Sequence, residues 1–230
     1  MLKLNAVNSY YGRSHALQDV SLDIPAGQVT AILGRNGMGK TTLLRALMGS
    51  MVRSTGSIEF EGRAIEGLAT HLRARSGIAY VPQGREIIAD FSVRQNILMG
   101  CFAGRGPVTI PPLALELFPY LAANLERPGG VLSGGQQQQL AIARALAAHP
   151  RVMLLDEPNE GIQPSVVEEI EAAIIRLNRE FGMTMVLVEQ NIDFARRVAS
   201  RFAMFEKGSV VESGSIDRLS DEVVDRHMTF

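Results

Sequence analysis

Cysteine is nearly absent from this sequence, and its scarcity excludes two classes of site. Cys101 is the single cysteine among 230 residues, so neither a disulfide within the chain nor a cysteine-cluster metal site can form. No stretch approaches about 18 consecutive apolar residues, so no membrane-spanning helix is predicted. Residues 1–5 lack a basic segment followed by an apolar one, and we therefore expect no signal peptide. These absences predict a soluble protein of a reducing, cytoplasmic compartment.

An excess of charge of either sign is also missing. Lys and Arg number 23 and Asp and Glu number 24, which gives a net charge of −1 and a pI near 6.4. This balance argues against proteins dedicated to nucleic acids or anionic membranes, which usually carry basic surfaces. With 46% hydrophobic residues, the chain is long enough to bury one sizeable core. No metal-ligand spacing relates the histidines, which are expected to be structural or solvated: His15, His71, His149 and His227.

Short apolar strands alternate with amphipathic helices, a pattern typical of a mostly parallel sheet covered on both faces. Strands are predicted at 2–7, 17–24, 29–33, 56–60, 77–81, 152–155, 183–188, 201–206 and 208–213. Helices are predicted before Gly49, over 92–125 with breaks at 104–107 and 111–112, over 135–148, after Pro164, over 191–199 and in a short tail. Segment 88–148 interrupts the alternation and is interpreted as an inserted helical subdomain of a single domain, 1–230.

A glycine-rich loop between the strand 29–33 and the next helix matches the phosphate-binding pattern Gly34-x4-Gly39-Lys40-Thr41. Glycines let the backbone N–H groups curl inward around phosphate, Lys40 can reach the terminal phosphates, and the Thr41 hydroxyl can hold Mg²⁺. The expected nucleotide contacts are Gly34, Arg35, Asn36, Gly37, Met38, Gly39, Lys40, Thr41 and Thr42. The alternative is a glycine-rich turn with a solvated lysine, against which the flanking strand and helix argue.

Two carboxylates follow the buried strand 152–155. A strand ending in a carboxylate is the usual second half of a phosphate-loop site, so Asp156 is expected near Mg²⁺. Glu157 would orient or deprotonate the attacking water. Read alone, Asp156-Glu157-Pro158 is equally typical of a strand-terminal turn or a helix cap, and the presence of the phosphate loop favours the chemical interpretation.

A second anion-binding helix start is predicted at Ser133-Gly134-Gly135-Gln136. One chain rarely needs two phosphate-binding segments for a single triphosphate. In a head-to-tail dimer, by contrast, each triphosphate is bound by two such segments, one from each subunit. Each ATP would then lie between the loop 34–41 of one subunit and residues 133–136 of the other. The alternative is an ordinary helix with Ser133 as its N-cap.

The order of these motifs resembles the ATP-binding cassette (ABC) ATPases over nearly the whole chain. The resemblance implies an α/β fold, the P-loop NTPase cassette: a RecA-like core with a mostly parallel sheet, an antiparallel β portion and an inserted helical subdomain. Segments 1–87 and 149–230 would form the nucleotide-binding core. Segment 88–148 would form the helical subdomain, which contains the signature motif of the family at residues 132–136. The implied cofactors are ATP and Mg²⁺.

The resemblance also implies roles for residues that the motifs alone do not identify. Gln83 would contact Mg²⁺, beside Thr41 and Asp156, and relay to a membrane partner. Tyr11 would stack on adenine, with Tyr10 a weaker candidate and an ordinary exposed strand aromatic as the alternative. The implied catalytic residues are Glu157, Lys40 and Gln190.

Four segments are similar, more narrowly, to the shorter ATPase subunit of importers for branched-chain amino acids, urea and short amides: 33–37, 81–87, 156–164 and 188–191. The Gly-Arg-Asn-Gly loop and the Glu-Gly-Ile-Gln-Pro segment lean toward the urea branch. The implied partners are a second ATPase subunit, identical or related, two integral-membrane permeases and, indirectly, a periplasmic solute-binding protein, with no nucleic acid. The permeases would hold the chain at the inner face of the cell membrane, some apolar residues of 92–148 forming a groove for a permease helix.

Two positions depart from the general cassette pattern. Gln190 stands where most such ATPases place a histidine that touches the γ-phosphate, and glutamine can donate a hydrogen bond but does not titrate near neutral pH. A polar residue at a helix start is the alternative interpretation of Gln190. Gln163 stands where many cassettes carry an aspartate that helps the two subunits communicate across the dimer interface. The resemblance therefore gives weaker support for that role in the loop 159–163.

Two rival functions share the phosphate loop. A soluble nucleotide switch acting on DNA or the ribosome usually carries coiled coils, a second cassette or basic extensions, and this chain shows none of them. A phosphoryl-transferring kinase leaves the segment Leu132–Gln136 unexplained.

Overall fold

The continuous apolar runs of the sequence form the strands at the centre of the protein. A computed structural model describes residues 1–50, 53–103 and 106–228. Its strands are β1 (Leu2–Tyr11), β2 (Ser14–Ile24), β3 (Val29–Leu33), β4 (Arg53–Phe60), β5 (Arg63–Ala64), β6 (Ile78–Val81), β7 (Val152–Asp156), β8 (Thr184–Glu189), β9 (Arg201–Glu206) and β10 (Ser209–Ser215). Every residue of β3, β7 and β8 is buried, as expected for strands covered on both faces.

Helices connect these strands and cover the central sheet. They are α1 (Lys40–Met48), α2 (Thr70–Arg75), α3 (Val93–Cys101), α4 (Pro112–Leu117), α5 (Pro119–Ala123), α6 (Gly134–Leu146), α7 (Pro164–Phe181), α8 (Ile192–Val198) and α9 (Asp221–Met228), with 3-10 turns at Gly129–Val131 and Ile216–Arg218. Within the described ranges, no helix is both long and apolar enough to cross a membrane.

The central sheet brings the carboxyl ends of several strands to one edge. Its strand order, over the described residues, is β10-β9-β3-β8-β7-β6, and all neighbours run parallel except β10 and β9. In the register, Leu33 pairs with Glu189 and Asp156 pairs with Val188. The loops that follow β3, β7 and β8 therefore meet at the edge where open α/β sheets bind ligands.

A separate antiparallel sheet packs beside the central one. Its strand order is β2-β1-β4-β5, and its inward residues, such as Leu2, Val7 and Val20, alternate with exposed ones. The register of β1 shifts between Leu4 and Val7 and again near Ser9, with Ala6 at a φ of 46°. Such register shifts are typical of β-bulges. Leu4 and Val7, on either side of the first shift, both pack into a hydrophobic cluster with Leu43 and Leu47 of α1.

Helices α3–α6 lie between β6 and β7 in the chain and pack into the same core cluster as one face of the central sheet. Ile97, Leu121 and Leu140 contribute to that cluster together with Leu155 and Leu187. A distinct helical subdomain over 88–148 stays a prediction. Of the helix break predicted at 104–107, residues 104 and 105 lie outside the described part of the chain.

The predicted α/β fold, with a mostly parallel sheet and an antiparallel portion, is confirmed. Several local predictions differ from the structure. Strands β1, β2 and β4 extend beyond the predicted ends at residues 7, 17 and 56. Within the helical stretch 92–125, the predicted break at 111–112 coincides with the start of α4, whereas the separate helix α5, which starts at Pro119, was not predicted. Strand β5 and helix α2 were not predicted.

Candidate active site

The phosphate loop is shaped by close backbone contacts at two glycines. A Cβ on Gly34, whose φ is 151°, would lie 2.5 Å from the carbonyl oxygen of Phe205. Gly39 has a φ of 101°, and a Cβ there would lie 3.0 Å from the carbonyl oxygen of Ala16. The backbone N–H of Gly208 donates to the carbonyl of Met38 at 2.9 Å. The loop is therefore fixed against the turn between β9 and β10, and a side chain at either glycine would displace it.

Helix α1 presents an N-terminus that no side chain of the described residues caps. Gly39 occupies the N-cap position, and the first turn carries no acidic residue. By contrast, α3 begins with a capping box formed by Ser92 and Gln95. The free N–H groups and the helix dipole of α1 therefore favour an anion in the loop 34–42.

Lys40 is buried beneath this loop, where its ammonium group is held in place by backbone and carboxylate oxygens. Its Nζ donates to the carbonyls of Gly34 at 2.7 Å and Arg35 at 3.0 Å. The same atom lies 3.7 Å from Oε1 of Glu157, and both side chains are largely buried. Burial lowers the pKa of Lys40, and the neighbouring Glu157 carboxylate opposes that change.

Asp156, at the end of β7, faces the first turn of α1. The Thr41 hydroxyl donates to its Oδ1 at 3.0 Å, and the Tyr80 hydroxyl donates to its Oδ2 at 3.0 Å. Burial raises the pKa of the Asp156 carboxyl, while the two hydroxyl groups oppose that shift. A hydroxyl and a carboxylate this close together form the hard oxygen donor set that suits Mg²⁺.

Glu157 turns toward the same cavity because the chain bends sharply at this residue. Its φ is 47°, in the left-handed region that costs a non-glycine residue about 1–3 kcal/mol. Its backbone N–H donates to the carbonyl of Val188 at 3.0 Å, which stabilises the bend. In a regular strand, consecutive side chains point to opposite faces. Because the chain bends at Glu157, both side chains can face α1: Asp156 contacts Thr41, and Glu157 lies near Lys40.

Two side-chain amides from other loops reach the Glu157 carboxylate. Nε2 of Gln190 donates to Oε1 of Glu157 at 3.0 Å. Nε2 of Gln83 lies 3.4 Å from Oε2 of Glu157 and donates to Oε2 of Glu160 at 2.7 Å. The loops after β6, β7 and β8 thus converge on one carboxylate at the carboxyl edge of the sheet.

A cavity of about 720 Å³ opens above these groups and brings half of the predicted site residues together. Its lining includes Tyr11, Asn36, Gly37, Gly39, Lys40, Thr41, Thr42, Gln83 and Glu157. The other walls come from β2 and from Lys207 and Gly208 of the β9–β10 turn. The volume, the loop amides and the buried ammonium group fit a nucleoside triphosphate.

Tyr11 lies at the mouth of the cavity, at the end of β1, and is partly exposed. Its hydroxyl oxygen accepts a hydrogen bond from Nη1 of Arg45 at 3.2 Å. Tyr10 instead stacks on His15, with ring centroids 4.5 Å apart. The position of Tyr11 is compatible with a stacked base, and that role stays a prediction.

Residues 133–136 do not line this cavity within the described chain. Oγ of Ser133 accepts the N–H of Gln136 at 3.3 Å, and the Gln136 side chain accepts the N–H of Ser133 at 3.0 Å, forming a capping box. A Cβ on Gly134 would lie 2.9 Å from the Arg85 guanidinium, and one on Gly135 would lie 2.7 Å from Val166. In the single chain these residues start α6, and their predicted contact with the ATP of a second subunit stays a prediction.

Three residues near the site were not assigned roles from the sequence. Tyr80 pairs with Leu154, two residues before Asp156 on the same face, so the register of β6 and β7 was the signal for its hydrogen bond. Glu160, in the loop after β7, accepts from Gln83 as described above. Nothing in the local sequence pattern indicated the contacts of Glu189, because they depend on how deeply β8 is buried.

Glu189 is a buried carboxyl at the end of β8. Its Oε2 accepts the backbone N–H groups of Gln190 at 3.1 Å and Asn191 at 3.3 Å. Its Oε1 has no hydrogen-bond partner within the residues that the structure covers. Burial raises the pKa of this carboxyl to about 7, with the two backbone hydrogen bonds opposing the shift.

Comparison with known proteins agrees with this geometry. The ABC transporter family matches residues 17–160. The chain is 41% identical over 92% of its length to the high-affinity branched-chain amino acid transport ATP-binding protein BraG of Pseudomonas aeruginosa, of which it covers 91%. It is 34% identical over 95% of its length to the probable branched-chain amino acid transport ATP-binding protein LivF of Archaeoglobus fulgidus, of which it covers 94%.

Solved structures show the same fold. A dimeric post-hydrolysis state of the ATP-binding cassette MJ0796, bound to ADP and Pi, aligns with 94% of this chain and 99% of its own, at 29% identity and a TM-score of 0.81. The ADP conformation of the cassette MJ1267 aligns with all of this chain and 99% of its own, at 25% identity and a TM-score of 0.84. The chain therefore belongs to the ABC transporter family, and it is an ATP-binding cassette ATPase.

Proposed function

We propose that this chain powers an importer for branched-chain amino acids or related small amides. The observation that carries the ATPase chemistry is the pairing of Lys40 and Thr41 with Glu157 and Asp156 at one edge of the sheet. The cargo class is supported by the similarity to BraG and LivF, whose names describe branched-chain amino acid transport. A urea importer is the second candidate, favoured by the segments 34–37 and 160–164.

The proposed roles at the phosphates follow from the loop geometry. The amides of the loop and the ammonium group of Lys40 would bind the β- and γ-phosphates and stabilise charge that develops on the phosphoryl oxygens. Lys40 would exchange its contacts with the carbonyls of Gly34 and Arg35 for phosphate oxygens. Tyr11 would support the adenine at the mouth of the cavity.

Glu157 is the proposed general base. Its carboxylate would accept a proton from the attacking water, and Gln190 would keep it oriented through the 3.0 Å hydrogen bond. Thr41, Gln83 and Asp156 would hold Mg²⁺, whose chemistry is to neutralise charge on the phosphate oxygens. The oxygen donors of Thr41 and Asp156 already lie 3.0 Å apart, which supports this assignment.

The proposed coupling to transport uses two cassettes. Ser133–Gln136 of one cassette would bind the γ-phosphate held by Lys40 of the other, so ATP favours a closed pair and its cleavage reopens it. The dimeric state of MJ0796 with ADP and Pi supports this arrangement. Two integral-membrane permeases would bind the pair at the cytoplasmic face of the membrane, and a periplasmic solute-binding protein would deliver the cargo to them.

Affinity purification of the tagged full chain from detergent-solubilised membranes tests the assembly. We expect two integral-membrane subunits and a second cassette to co-purify. Recovery of nucleic acid or ribosomal proteins in their place would contradict the proposal and favour a nucleotide switch, a reading that the comparisons do not support.

Uptake by the purified complex in proteoliposomes tests the cargo. With the solute-binding protein outside and ATP inside, labelled leucine should accumulate, and a complex carrying Lys40→Ala should take up none. Accumulation of urea but not leucine would assign the second candidate. Absence of ATP-dependent uptake of either compound, in a complex that hydrolyses ATP, would overturn the proposed cargo class.

A further inference from the structure

Gln83 donates its side-chain amide to two carboxylates at once. Its Nε2 lies 2.7 Å from Oε2 of Glu160 and 3.4 Å from Oε2 of Glu157. Both carboxylates belong to the loop after β7, whereas Gln83 belongs to the loop after β6. The shorter contact is to Glu160, which the proposed reaction does not use.

These contacts decide which end of the Gln83 amide faces the two carboxylates. An ionised carboxylate only accepts hydrogen bonds, so it requires the N–H₂ end of the amide on its side. A Gln83 side chain turned by 180° would place its Oε1 against Oε2 of Glu160, two acceptors with no proton between them. Glu160 therefore favours the orientation that leaves Oε1, the oxygen that a divalent cation needs, on the opposite side.

Glu160 is held in place through its own backbone. Its N–H donates to the carbonyl of Glu157 at 3.2 Å, which closes a tight turn that begins at the base. Its carbonyl oxygen lies 3.4 Å from Nη2 of Arg85. The two carboxylates that face Gln83 are therefore the two ends of one turn, and their spacing is set by the backbone.

The Gln83 side of the contact is also anchored. Arg85 and Glu86 have left-handed φ values of 71° and 45°, which are unfavourable for residues other than glycine. The guanidinium of Arg144, near the end of α6, donates to the carbonyl of Arg85 at 3.0 Å and to that of Glu86 at 2.7 Å. These hydrogen bonds stabilise the bent loop, so Gln83 is presented to Glu160 by a fixed backbone.

We propose that Glu160 is a positioning residue, which orients the Gln83 amide so that its Oε1 faces the bound divalent cation. This inference rests on the metal role proposed above for Gln83. Glu160 itself is exposed and contacts the Nε2 end of the amide, so in this proposal it acts through Gln83 and does not coordinate the cation.

The test measures cation binding directly, with Mn²⁺ as the probe. The full chain is mixed with a non-hydrolysable ATP analogue, and free Mn²⁺ is followed by electron paramagnetic resonance. Glu160→Ala should weaken Mn²⁺ binding by about 3- to 10-fold, the size expected for one exposed hydrogen bond to a charged group. Affinity for the analogue in EDTA should not change, which shows that the variant is folded.

Two further variants separate orientation from a general effect of charge. Glu160→Gln keeps the size of the side chain, but its amide can either accept from Nε2 or donate to Oε1 of Gln83, so it no longer selects one orientation and should bind Mn²⁺ more weakly than the parent. Glu168→Ala removes another exposed glutamate, from α7, and should leave Mn²⁺ binding at the parent value. If Glu160→Gln binds Mn²⁺ as tightly as the parent, an acceptor-only carboxylate does not set the orientation of Gln83 and the inference is wrong.

The Gln83→Ala background distinguishes this inference from the proposed function. There, Glu160→Ala should have no further effect, and a further loss of the same size would overturn the inference. If Gln83→Ala weakens Mn²⁺ binding while Glu160→Ala does not, the positioning role is wrong and the metal role of Gln83 stands. If neither variant weakens it, the metal role of Gln83 fails as well.

Discussion

Gln190 donates a hydrogen bond from Nε2 to Oε1 of Glu157 at 3.0 Å, and the same carboxylate oxygen lies 3.7 Å from Nζ of Lys40. The base is thus held between a neutral amide and a buried cation. Because the amide does not ionise near neutral pH, residue 190 orients the carboxylate without changing its own charge.

Replacing Gln190 tests this orientation. Gln190→Ala removes one hydrogen bond from Glu157 and should lower kcat by about tenfold. Gln190→Glu keeps the shape but places a second carboxylate against Glu157, and its kcat should be lower than that of the alanine variant at pH 7 because the two charges repel. ATP affinity should stay close to the parent value in Gln190→Ala. Equal kcat for the parent and Gln190→Ala would show that residue 190 does not orient the base.

Glu157 itself is expected to control the chemical step and not nucleotide binding. Glu157→Gln retains the size of the side chain and removes its basicity, so kcat should fall by about 10²–10⁴-fold. Equilibrium binding of ATP should persist, since the loop 34–42 and Lys40 supply the phosphate contacts. Turnover at the parent rate would show that another group accepts the proton.

Tyr11 provides a separate test of base recognition. Tyr11→Ala should weaken ATP binding by roughly 1–3 kcal/mol, the usual contribution of one aromatic residue stacked on a base. Affinity for inorganic tripolyphosphate, which has no base, should not change. Tyr11→Phe keeps the ring, loses the hydrogen bond from Arg45, and should bind ATP as the parent does. A matching loss for tripolyphosphate would indicate that Tyr11 supports the phosphate loop instead.

The raised pKa of Glu189 predicts that the stability of the protein depends on pH, and it sets the sign of that dependence. The carboxyl ionises near 4.5 when unfolded and near 7 when folded, so the folded state binds more protons between these values. Stability is therefore lost as pH rises from 4.5 through 7, by about 3 kcal/mol at most. Glu189→Gln removes this loss, because an amide can accept the same two backbone N–H groups without ionising.

Urea unfolding at pH 5 and pH 8 measures the effect. The free energy of unfolding of Glu189→Gln, relative to the parent, should be larger at pH 8 than at pH 5. Glu168→Gln, an exposed exchange on α7, should differ from the parent equally at both values. A Glu189→Gln difference that does not change with pH would contradict the raised pKa.

The central strands and the phosphate loop were predictable because their signals are local. Residues 29–33 are apolar except for Thr30, and all of them are buried in β3. The predicted end of the first strand at Val7 coincides with the bulges of β1, where the alternation of apolar and polar residues is lost. Helix α2 was missed because it packs through a buried arginine, Arg73, which donates to the carbonyls of Ala46 and Leu47.

Contacts between distant segments explain the rest of the difference. The Gln83–Glu160 hydrogen bond joins residues 77 positions apart. It depends on bends at non-glycine residues with a left-handed backbone conformation, which no sequence pattern predicted. Likewise, β5 consists of two exposed residues whose strand conformation comes only from pairing Ala64 with Glu59 and Arg63 with Phe60. Motifs identified the chemistry of the site, whereas its supporting hydrogen bonds required the tertiary structure.

The most direct measurement is a structure of the assembled Glu157→Gln transporter trapped with ATP, read for the atoms around the γ-phosphate. The account predicts that a γ-phosphate on Lys40 of this chain contacts a second cassette, and that Ser133 of this chain donates to the γ-phosphate of the facing cassette. A γ-phosphate surrounded by one chain alone, in a protein whose isolated cassette hydrolyses ATP at the full rate, would contradict it.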